Sequence, residues 1–198
     1  VRVPLVGGFQ GENLMLASAM VLATGVASEN VFAALNAMRP VRGRMELAAT
    51  RSNGASIFVD YAHTPDALAT ALTSLRRHAM GRLVVVFGAG GDRDHSKRKL
   101  MGQVASEFAD FTFLTDDNPR NEEPSAIRAM VLAGAPNSIE VADRAEAILR
   151  AVDLLQAGDT LLIAGKGHES GQIVGSDILP FDDVEQASIA VAALEGAY

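Results

Sequence analysis

Residues 83–98 read Leu83-Val84-Val85-Val86-Phe87-Gly88-Ala89-Gly90-Gly91-Asp92-Arg93-Asp94-His95-Ser96-Lys97-Arg98. A short, uninterrupted apolar run ends in glycines and then in charges that lead into a helical segment. Such a run is expected of a strand covered on both faces, as in a parallel sheet. The same grammar recurs outward in both directions. Further strands are predicted at 45–51, 55–60, 111–115, 139–142 and 160–163, with Leu161-Leu162-Ile163 as a second continuous apolar run. Helices are predicted between them at 65–78, 96–108, 124–132 and 144–156. Alternation of this kind predicts an α/β fold: a Rossmann-like, mostly parallel sheet flanked by helices and joined by right-handed crossovers. Residues 172–179 read as a hairpin turning at Gly175, and 182–194 as a closing helix.

The first forty residues differ. Residues 12–24 favour helix throughout, with Gly25 as the stop. Ser28 suits an N-cap for a second helix over 29–38, ended before Pro40. Two apolar helices without strands need another layer to cover them. The chain opens at Val1 in sequence of mid-protein character, and a piece of a longer protein is expected.

Composition narrows the function classes. The 198 residues are 48% hydrophobic and 21% charged, the balance of a globular domain. There is no cysteine, hence no disulfide framework, thiolate metal site or cysteine nucleophile. A net charge of −7 argues against a nucleic-acid surface, which needs a basic stripe. Residues 14–26 are too short an apolar stretch to span a bilayer. No nucleic-acid or membrane partner is therefore expected.

Ligands of such sheets lie beyond the carboxyl ends of the strands. Four predicted strands run into polar loops: Asp60-Tyr61-Ala62-His63-Thr64-Pro65-Asp66, the 88–94 turn with Lys97 and Arg98, Asp116-Asp117-Asn118-Pro119-Arg120, and Gly165-Lys166-Gly167-His168-Glu169. Taken singly, each has an ordinary reading. Residues 88–91 suit a tight strand-to-helix turn as well as a phosphate-cradling loop; they are not GxGxxG, and no GxxxxGK[ST] occurs. Asp117-Asn118-Pro119 is a good turn by itself. Two distant histidines do not make a metal site, and Pro65 suits the first helical position behind a Thr64 cap. Parallel strands would bring all four loops to one rim. There Arg93, Lys97, Arg98, Arg120 and Lys166 would interleave with Asp60, Asp92, Asp94, Asp117 and Glu169. A mixed rim suits a zwitterion plus phosphate better than a polyanion.

With Gly43-Arg44-Met45-Glu46 in front, these segments follow in an order and spacing that resembles the C-terminal domain of the Mur ligase family, in its meso-diaminopimelate-adding branch. The resemblance covers nearly the whole chain. It implies that residues 43–198 are that C-terminal domain. Residues 1–42, from Pro4-Leu5-Val6-Gly7 through the two helices, would be the end of the family's central domain. The implied reaction is ATP-dependent amide-bond formation in peptidoglycan synthesis. ATP phosphorylates the D-glutamate side-chain carboxylate of UDP-N-acetylmuramoyl-L-alanyl-D-glutamate, and the amine of meso-diaminopimelate attacks the acyl phosphate.

Position by position, the resemblance implies that Arg120 pairs with the distal carboxylate of diaminopimelate, the group that lysine lacks. Arg93, Asp117, Asn118, Pro119, Gly165 and Glu169 match the remaining amino-acid contacts. Arg44, Asp60, His63 and Lys97 match ATP-facing positions. No catalytic residue and no metal ligand falls in this chain, because the phosphate loop and the Mg2+ ligands belong to the central domain and the uridine nucleotide to an N-terminal domain. A cytoplasmic monomer is implied, and the chain by itself is expected to fold without turning over. A lysine-adding or folylpolyglutamate-type ligase, or a non-catalytic α/β binding module, are the competing readings.

Overall fold

A computed structural model describes residue 3 and residues 5–196; Pro4 lies outside them. Six strands form one sheet: β1 (Glu46–Thr50), β2 (Ser56–Asp60), β3 (Leu83–Phe87), β4 (Phe111–Leu114), β5 (Ile139–Glu140) and β6 (Thr160–Ala164). Their spatial order is β1-β2-β6-β3-β4-β5. All neighbours are parallel except β1, which runs antiparallel to β2 along the edge.

The helices are α1 (Gly8–Ala23), α2 (Ser28–Leu35), α3 (Pro65–Arg76), α4 (Ser96–Phe108), α5 (Pro124–Leu132), α6 (Arg144–Leu154) and α7 (Asp183–Glu195). Steps from β2 to β3, β4 and β5 proceed across the sheet in one direction, so right-handed crossovers place α3, α4 and α5 on one face. The step back from β5 to β6 puts α6 on the other face. The strand side chains sort accordingly. Leu83, Val85, Phe87 and Leu162 pack with Leu72 of α3, Met101 of α4 and Val131 of α5. Val84, Val86, Leu161 and Ile163 pack with Ile148 and Val152 of α6 and Ala187 of α7. Every residue of β3 and β6 is buried, which explains why these two strands read as unbroken apolar runs.

Local chemistry sets the helix starts. Pro65 stands in the first turn of α3 and the Thr64 side chain accepts from the Ala67 N–H, as the sequence predicts. Asp143 and Asp182 cap α6 and α7 in the same way. Three expectations fail in the two N-terminal helices: α2 stops at Leu35, three residues before its predicted end, and both starts differ. α1 begins at Gly8, four residues before the predicted start. Ser28 is the first helical residue of α2, and Ala27 occupies the cap without a side-chain bond. Ala27 has the non-helical backbone of a cap position (φ −59°, ψ 137°), which places Ser28 inside the first turn, and no side chain caps α2. The hairpin is present as β7 (Gly171–Val174) and β8 (Asp177–Pro180), a separate two-stranded sheet turning through Gly175 at φ +58°. No helix among the described residues is long and apolar enough to cross a membrane.

Candidate functional site

Pairing register brings the strand ends together. Asp60 of β2 is level with Ala164 of β6, Val86 of β3 with Ile163, and Phe87 with Leu114 of β4. The four polar loops therefore leave the sheet on one rim and surround a cleft of about 220 Å³. Of the predicted residues, Arg93, Asp117, Asn118, Arg120, Gly165 and Glu169 line it, joined at one side by His63 and Lys97. Tyr61 and Gly90 line it too; both stand in the four polar loops, though the sequence marks neither as a site residue.

The loop from Leu114 to Arg120 is the centre of this arrangement. Asn118 and Arg120 both have left-handed backbone, at φ +47° and +53°, and Asp92, bonded to the adjoining Asn121, has φ +50°. Non-glycine residues in that region cost about 1–3 kcal/mol each and persist only where neighbours hold them. The neighbours are visible. The Arg120 N–H donates to the Ile173 carbonyl at 3.1 Å, and its own carbonyl accepts from the Gly175 N–H at 2.7 Å, so the β7–β8 hairpin clips the loop in place. Gly91 donates to the Asn118 carbonyl at 3.0 Å. A Cβ on Gly91 would stand 1.8 Å from the Pro119 carbonyl oxygen, so only glycine permits this approach. Pro119 thus builds the wall through its backbone and does not itself line the cleft.

Among the described residues, both protein bonds of the Arg120 guanidinium are made by Nη1, to the carbonyls of Gly91 (2.9 Å) and Asn118 (3.3 Å). A guanidinium carries five donors in a planar fork, so Nη2 and Nε keep donors for a ligand. Opposite in charge, Glu169 is half-buried and accepts from Asn118 Nδ2 at 2.9 Å. Lys97 Nζ donates to the His63 carbonyl at 3.1 Å. Burial pushes its ammonium below the ordinary lysine value, against the pull of Asp117 and Asp94.

Two predicted cations do not face the cleft. Arg98 has a fully buried side chain and grips Glu122 with both terminal nitrogens, at 2.8 and 2.7 Å, while donating to the Gly90 carbonyl at 3.1 Å. That pairing holds the Glu122 carboxyl at about 2. Lys166 is equally buried and is spent on Asn118, Gly171 and Asp117. Both fasten one loop to another. Arg144 does similar work one layer down. It pairs bidentately with Asp183 at 2.8 Å, both side chains fully buried, and donates to the Ala164 carbonyl where β6 enters its loop.

Of the predicted nucleotide-facing residues, Asp60 is buried outside the cleft and accepts from the Met45 N–H at 2.8 Å. Burial raises its carboxyl above the usual range, with backbone hydrogen bonds opposing. Arg44 lies beside the cleft, its guanidinium 4.7 Å from the Tyr61 ring centre, and Tyr61 in turn stacks near His63 and His168. The 43–46 segment is seated here because Gly43, at φ +66°, packs directly on the Gly167–His168 peptide; a Cβ would stand 2.1 Å from the Gly167 carbonyl carbon. His63 and Lys97 line the cleft and Arg44 stands beyond the Tyr61 ring; each is a side chain able to donate to a phosphate oxygen. Among the described residues no group of three or more His, Cys, Asp or Glu is placed to hold a metal ion.

A doubly wound domain with a mixed-charge cleft at its carboxyl rim is the class of protein defined so far. Residues 43–167 match the family model described as Mur ligase, glutamate ligase domain, and the chain belongs to the Mur ligase family. It is 55% identical over 193 residues to the UDP-N-acetylmuramoyl-L-alanyl-D-glutamate–2,6-diaminopimelate ligase of Bradyrhizobium diazoefficiens, matching 98% of this chain and 40% of that protein. The enzyme of the same name from Zymomonas mobilis is 52% identical over 195 residues, matching 96% and 40% respectively. A solved structure of a ligase of that name superposes with a TM-score of 0.75 at 39% identity, covering 98% of this chain and 40% of that one. The folylpolyglutamate synthase of Mycobacterium tuberculosis superposes at 0.68 with 20% identity, covering 100% and 42%, and shares the fold. The chain thus spans about 40% of the length of the curated relatives it matches.

Proposed function

We propose that this chain is the amino-acid-selecting part of an ATP-dependent ligase that adds meso-diaminopimelate to UDP-N-acetylmuramoyl-L-alanyl-D-glutamate in peptidoglycan synthesis, a cytoplasmic reaction. The observation that carries this reading is the Arg120 fork, held open in the cleft 29 residues along the chain from the Gly91 carbonyl it grips, with Asn118 on its own loop and Glu169 on the facing one. Diaminopimelate has two amino-acid ends. Arg120 meets the distal carboxylate in a charge-assisted pair, Glu169 the distal ammonium, and Arg93, Asp117, Asn118 and Gly165 complete the wall. Lysine lacks the distal carboxylate and would leave the guanidinium short of a partner. A charge-assisted bond contributes roughly 1.5–3 kcal/mol, so discrimination of about 10²-fold follows.

Arg44, His63 and Lys97 are suited to hold ATP phosphates from the near side of the cleft, and Asp60 to fix the 43–46 segment that carries Arg44. ATP supplies the phosphoryl group; what these residues contribute is orientation and counter-charge. Residues 1–42 are read as the end of a central domain, whose remainder would cover the apolar sides of α1 and supply the phosphate loop and Mg2+ ligands. The chain alone is then expected to release no phosphate. Phosphate release by the full-length enzyme should depend on meso-diaminopimelate and stay near background with L-lysine or L-glutamate. Turnover with lysine equal to that with diaminopimelate would remove the assignment.

A further inference from the structure

Beneath the cleft lies a lysine whose burial calls for an explanation. Lys166 follows Gly165 at the end of β6, and its side chain is 0% exposed. A buried ammonium costs several kcal/mol unless each donor is answered. Here all three are. Nζ donates to Asn118 Oδ1 at 2.9 Å and to the Gly171 carbonyl at 3.0 Å, and stands 3.3 Å from Asp117 Oδ1. Its partners belong to the 114–120 loop and to the start of β7, so one ammonium joins three segments.

The contact to Asn118 has a directional consequence. An amide has an acceptor end and a donor end of nearly equal shape, and its partners decide which way it faces. Lysine can only donate, so Oδ1 must point down to Nζ. The Ile173 N–H takes the second lone pair of the same oxygen at 2.9 Å. Nδ2 is thereby turned outward, where it donates to Glu169 Oε2 at 2.9 Å along the cleft wall.

We propose that Lys166 is a positioning residue for amino-acid selection, fixing the Asn118 amide with its donor end toward Glu169 and the bound amino acid. This rests on the reading of the cleft as the diaminopimelate site. Lys166 touches no ligand itself. Its effect passes through Asn118, whose outward N–H group orients Glu169 and leaves a second N–H for a ligand oxygen. With a methionine in its place, the Ile173 N–H alone would hold the amide, and Asp117 and the Gly171 carbonyl would lose their partner.

The test uses the full-length ligase with Lys166→Met, reading KM for meso-diaminopimelate and for ATP separately, with Arg120→Ala as reference. Loss of a hydrogen bond to a charged group corresponds to roughly tenfold or more, so the diaminopimelate KM should rise by about that factor with ATP KM within about twofold. Should the single variant fail to fold because Asp117 is left unpaired, Asp117→Asn/Lys166→Met is compared with Asp117→Asn, and the same selective rise is expected. An unchanged diaminopimelate KM, or an equal rise in both constants, overturns the proposal if Arg120→Ala still raises the diaminopimelate KM. If neither Arg120→Ala nor Lys166→Met moves that KM, the reading of the cleft itself fails.

Discussion

Helices α1 and α4 are of similar length, yet they have opposite fates. α4 buries Arg98, Met101, Gly102 and Ala105 against the sheet and its neighbours. α1 is the more apolar of the two and has no fully buried residue, only Phe9 packing in part against the core; Met15, Leu16 and Met20 are 69%, 62% and 58% exposed. Apolar content alone does not decide burial. α4 carries its apolar residues on one stripe and finds a strand beneath it, whereas the apolar residues of α1 go all round the helix. A helix of that kind belongs inside a larger body. The 43–196 region closes its own core on both faces of the sheet. The helical pair before it depends on a covering layer, which the proposed central domain would supply.

Matched truncations sharpen this contrast. Leu72→Ala removes a fully buried side chain from the α3 side of the core and should destabilise the chain by about 2–5 kcal/mol in urea unfolding. A cost well under 1 kcal/mol would mean the sheet's core is looser than its burial implies.

A smaller effect is expected where two loops are tied together. Glu122 has its carboxyl at about 2 in the folded chain because of Arg98, against an ordinary value of 4.5. A depressed carboxyl stabilises the fold fully above the unfolded value and loses that contribution as pH falls through the folded one. Glu122→Gln should therefore lower Tm at pH 7, and its gap from the parent chain should narrow between pH 4.5 and 2. A gap independent of pH across that window would show that the charge on Glu122 adds nothing to stability.

The smallest effect should come from Met20→Ala on α1, within about 0.5 kcal/mol for the chain by itself. A cost matching that of Leu72→Ala would abolish the distinction between the two regions.

Most of the fold was legible because its signals are local. The β3 run, Pro124 at the start of α5 and the charged entry to α4 give element bounds that agree to the residue with β3, α4 and α5. The rim could be inferred from parallel strands alone, and Asp117, Asn118, Arg120 and Glu169 do meet there. What could not be read is the direction in which each charge points. Arg98 and Lys166 look like ligand-facing cations in sequence, but their partners Glu122 and Asn118 lie 24 and 48 residues away. The left-handed turn at Arg120 was equally hidden. It is imposed by the β7–β8 hairpin, more than 50 residues downstream, rather than by any glycine at the turn itself. Tyr61 gives no signal in the sequence because its part depends on Arg44 stacking on its ring, a tertiary contact.

The central claim is that the Arg120 fork selects the amino acid. In the full-length ligase, Arg120→Ala should raise the KM for meso-diaminopimelate by roughly 10²-fold while leaving the KM for ATP nearly unchanged. An unchanged diaminopimelate KM would contradict the account, since Arg120 is the residue it assigns to the distal carboxylate that lysine lacks.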